Sequence, residues 1–63
     1  MDQAYSAYML DPTHGWVGTH RLPLHSAIFC CMEHRRRTQD IPVAIVPDMH
    51  DPMPYLRLAE SFA

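Results

Sequence analysis

Between Phe29 and Arg37 the chain reads FCCMEHRRR, the densest run of reactive side chains in its 63 residues. Three chemistries are conceivable for it. Cys30 and His34 stand four residues apart, a helical spacing that can bring two ligands to one metal or set a base beside a thiol. Arg35, Arg36 and Arg37 could meet phosphates, with Arg21 as a fourth contact. Cys31 falls among apolar residues, as a small buried hydrophobe would.

Each chemistry makes demands that the rest of the chain does not meet. A structural zinc site needs four ligands, commonly as two close pairs. Here there is no C-x-x-C, and His14, His20, His25 and His50 are scattered. A catalytic thiol in mid-helix gains nothing from the positive end of the helix dipole. Three consecutive arginines on a helix point about 100° apart and form no single patch, whereas the dipole favours them at a helix C-terminus. No cofactor is expected, and no enzymatic activity.

Composition narrows the classes further. The net charge is −2 and all five basic side chains are arginine. A domain that tracks phosphates is ordinarily basic, so nucleic acid is not the expected partner. Apolar residues make up 48% of the chain, too many for disorder. A chain this short buries only about 60% of its unfolded surface and usually needs a staple. The two cysteines are neighbours, which rules out a disulfide framework and leaves reduced thiols as the expectation. The remaining staple is a second chain, so a homodimer or higher oligomer is expected. The N-terminal residues MDQAYSAYML lack the pattern of a signal peptide, and no apolar run approaches the length of a membrane helix. The expected setting is the cytoplasm, without a membrane partner.

The elements that must position these residues are legible in outline. AYSAYML (4–10) and WVGTHRL (16–22) are rich in aromatic and β-branched residues and flank the turn sequence DPTHG. They predict a hairpin with a five-residue loop and a bulge at Gly18. From Pro23 the period changes. Leu24, Ala27, Ile28, Cys31 and Met32 mark one stripe of a helix that ends in the arginines. IPVAIV (41–46) predicts a buried strand with Pro42 near its start. After a proline-rich loop, Tyr55, Leu58, Ala59 and Phe62 predict a short C-terminal helix beginning near Asp51 or Pro54.

The sequence therefore predicts an α+β fold, a two-layer ββαβ unit over residues 1–46 followed by a loop and helical arm over 47–63. One long helix can cover one face of a three-stranded sheet. The third strand could pair beside either of the first two. The other face must be covered by the arm, in cis or exchanged, or by a partner. Tyr5, Tyr8, Trp16, Tyr55, Leu58 and Phe62 are of types enriched at protein contacts. The expected function is a small non-enzymatic adaptor or modulator that self-associates and binds another protein through them. The alternatives are a nucleic-acid regulator using Arg21 and Arg35–Arg37, and a metal or small-ligand binder using Cys30 and His34.

Overall fold

The computed structural model describes residues 3–38 and 42–62. Five elements follow one another, β1 (Tyr5–Asp11), β2 (Gly15–Gly18), α1 (Leu24–Thr38), β3 (Val43–Pro47) and α2 (Met53–Ser61). The fold is α+β, as the sequence predicts. The three strands form one sheet in the order β2-β1-β3, antiparallel throughout. This settles the place of the third strand, which pairs with β1.

Local chemistry explains the hairpin. Asp11 pairs with Gly15, so the loop is three residues long and not five. The Asp11 carboxylate accepts the backbone N–H groups of Thr13 (2.7 Å) and His14 (3.0 Å), which holds its pKa below the ordinary value. Gly15, which closes the loop, has φ +78°, a left-handed conformation that glycine adopts without the penalty of a Cβ. β2 is shorter than predicted. Thr19 still donates to the Ala7 carbonyl, but the next link is a bridge between Tyr5 and Leu22. The register has slipped by one residue between Thr19 and Leu22, beyond the predicted bulge at Gly18. Gly18 instead lies under the Tyr8 ring, where an added Cβ would come within 2.7 Å of Tyr8 Cε1.

α1 covers one face of the sheet. Tyr5, Ala7 and Met9 alternate onto that face, with Val43 and Ile45 across the register on β3. The core there is made of small side chains. Ala7 and Ala27 are both fully buried (0% exposed), Cys31 joins them, and Tyr5, Leu22, Cys30, Val43 and Ile45 pack around them. The helix is therefore rotated from the predicted stripe. Ala27 and Cys31 face the sheet, while Leu24, Ile28 and Met32 stand exposed on one flank.

α2 packs on β3 from the opposite face, so the C-terminal arm covers its own sheet in cis. Val46 and Leu56 are buried on this side. Asp51 Oδ1 accepts the N–H of Met53 at 3.1 Å and starts the helix near the predicted position. At its far end Glu60 accepts a hydrogen bond from Trp16 Nε1 at 2.7 Å, tying α2 to β2. Among the described residues no helix is long and apolar enough to cross a membrane.

Candidate functional site

The reactive run lies on the C-terminal half of α1. Cys30, Glu33, His34 and Arg37 line a shallow hollow of about 340 Å³ with Phe29 and with Met9 of β1. Cys30 and His34 thus share a wall, as their i, i+4 spacing implies. His34 is already engaged, since its Nε2 meets the Leu10 carbonyl at 3.2 Å and must donate to it. Among the described residues no three His, Cys, Asp or Glu side chains group as a metal site would require. Cys31 lies in the core, and burial, with Cys30 adjacent, pushes its thiol pKa up. That keeps Cys31 a thiol, away from nucleophilic chemistry.

The arginines are dispersed and in part committed. Arg21 pairs with Asp48 at 3.0 Å and Arg36 with Glu33 at 3.0 Å. Arg37 borders the hollow. Arg35 lies on the flank of Leu24 and Ile28, well round the helix from Arg37. Asp40, expected near these charges, lies outside the described residues.

The six candidate contact residues divide into two sets. Tyr5 packs into the α1 core, Tyr8 covers Gly18, and Trp16 is half-buried against Glu60. Tyr55 is half-buried, with its hydroxyl 2.9 Å from His50 Nδ1. Leu58 (60% exposed) and Phe62 (82% exposed) project from α2. With Tyr55 and Ala59 they form one wall of a groove of about 220 Å³, whose other wall is Val43, Ala44 and Ile45 of β3. These three candidates come together, whereas Tyr5, Tyr8 and Trp16 lie elsewhere.

The groove follows the outer edge of β3, which has no neighbouring strand among the described residues. Pairing of Asp48 N–H with the Ala4 carbonyl and of Leu10 N–H with the Pro42 carbonyl fixes the hydrogen-bonding phase of the β1–β3 ladder. Even-numbered residues of β3 bond to β1, so the N–H and C=O groups of Val43 and Ile45 point outward, away from the sheet. Sequence reasoning missed this edge because it depends on strand order. It also missed that Phe29 (63% exposed) and Met32 (59% exposed), the latter expected in the helix's apolar stripe, form the apolar outer surface of α1 with Ile28.

The chain matches no family model, no curated protein and no solved structure.

Proposed function

We propose that this chain is a small non-enzymatic protein-interaction module that works as a homo-oligomer. The observation that carries this reading is an inversion of side-chain size. The interior beneath α1 is built from Ala7, Ala27 and Cys31, only Val46 and Leu56 are buried on the α2 side, and among the described residues no large side chain is fully buried, while Ile28, Phe29, Met32, Leu58 and Phe62 are exposed. Scattered exposed leucines mean little, but contiguous apolar surface on a small domain marks a contact site.

Surface area supports the same reading. A compact monomer of 7.3 kDa exposes about 4,200 Å² by the scaling of area with mass. This chain exposes 4784 Å². Its radius of gyration is 11.1 Å, against about 10.6 Å expected for a chain of this length. The self-association surface is the outer face of α1. Two such helices packed across a two-fold axis would bury Phe29 and Met32 against their copies, as an isologous interface does.

Sedimentation equilibrium on wild type and on Phe29→Glu with Met32→Glu tests this. Both positions are exposed, so the charges leave the fold intact. The reading predicts an oligomeric wild type and a monomeric double variant with the wild-type circular dichroism spectrum. An assembly that survives both charges would contradict the assignment of α1.

A further inference from the structure

We infer that the outer edge of β3 accepts a fourth strand, an extended uncharged apolar segment of a partner polypeptide. This rests on the reading of the chain as a protein-interaction module and names the chemistry of what it binds. Val43 and Ile45 each present an outward N–H and C=O, and these backbone groups have no partner among the described residues. A row of such groups is a template for strand addition.

Both layers overhang this edge. On α1, 100° per residue puts Leu24, Ile28 and Arg35 on the flank opposite Cys30, Glu33 and Arg37. The latter flank overlooks Met9 of β1, so the former faces the β3 side. On α2, Glu60 reaches towards β2, and Tyr55, Leu58 and Phe62 lie on the other flank, beyond the edge of β3. A strand laid along β3 would therefore put alternate side chains against Leu24 and Ile28 on one face and against Leu58 and Phe62 on the other.

The chemistry of the occupant follows from the lining. The described lining of the groove holds no charged residue, so a charged side chain seated in it would be desolvated without compensation. A β-branched or aromatic sequence suits an extended backbone between two apolar walls. A second whole copy fits poorly, because α2 sits over β3 itself. Pairing β3 with its copy would bring the two α2 helices to about one strand spacing, some 4.8 Å. Packed helices need about 8–10 Å.

The test is a random decapeptide library displayed on phage and panned against the full-length chain, followed by synthesis of the enriched peptides. The inference predicts enrichment of uncharged runs of four or more β-branched or aromatic residues. On binding, amide hydrogen exchange at Val43 and Ile45 slows by about tenfold or more. Val43→Pro, which removes one outward donor and spares the bonds to β1, weakens binding about five- to tenfold. Leu58→Asp with Phe62→Asp, at exposed positions, weakens it as well, while Phe29→Glu leaves it unchanged. Enriched peptides that are charged, or that bind without slowing exchange at Val43 and Ile45, would overturn the edge assignment and leave the interaction-module reading standing. No enrichment from the library would overturn the inference, and a monomeric wild type in addition would remove both.

Discussion

His34 Nε2 donates a hydrogen bond to the carbonyl of Leu10 at 3.2 Å, and that carbonyl is one the sheet cannot satisfy. Leu10 gives its own N–H to the Pro42 carbonyl at 3.1 Å. The reciprocal bond would come from the N–H of residue 42, which proline lacks. The imidazole on α1 takes its place and ties the helix to the end of the β1–β3 ladder. The most reactive-looking side chain of the FCCMEHRRR run thus has a structural task.

Removal of this side chain strands a half-buried acceptor. His34→Ala is expected to lower stability by about 1 kcal/mol, and His34→Gln, whose amide can donate along a similar reach, to recover part of the loss. Urea denaturation of the three proteins measures it. Equal stability of wild type and His34→Ala would show that the bond contributes nothing.

The turn from β3 into α2 contains a second local strain. Met49 has φ 71°, and its side chain is 95% exposed, so nothing from packing offsets the left-handed conformation. Met49→Gly is expected to raise stability by about 0.5–1 kcal/mol, read as a shift in the midpoint of thermal unfolding. A lower midpoint would mean that the methionine makes a contact worth more than the strain.

Cys31 gives the fold a dependence on alkaline pH. Burial, and secondarily the neighbouring Cys30 thiol, hold its folded pKa above the ordinary 9.0. Because the raised value favours the protonated form, this contribution to stability is complete below pH 9.0 and is lost as pH rises through the folded pKa. Cys31→Ala should flatten the alkaline fall in melting temperature. In native protein, iodoacetamide should label Cys30 well before Cys31. Equal labelling rates at neutral pH would contradict the burial of Cys31.

The sequence showed the hairpin, the long helix and the C-terminal helix because each is signalled locally, by Asp11 to Gly15, by the period from Leu24 and by Tyr55 to Phe62. It did not show how α1 is turned. Hydrophobicity marks Leu24, Ile28 and Met32 as the buried stripe, but the sheet centre is Ala7, and the helix comes close there only through Ala27 and Cys31. Size at the contact, not apolarity along the helix, set the rotation. The position of β3 beside β1 was equally hidden, since its alternation fits either neighbour. The groove at Val43 and Ile45 could not be foreseen without it, and the role of His34 depends on Pro42 lying opposite Leu10.

Light scattering across a dilution series, from high micromolar to submicromolar chain, tests the central claim most directly. Self-association through the exposed apolar surface of α1 predicts a molar mass of at least twice 7.3 kDa at the top of the series, falling towards that of one chain on dilution. A mass of 7.3 kDa at every concentration would contradict the account, because Phe29 and Met32 would then face water in the working protein.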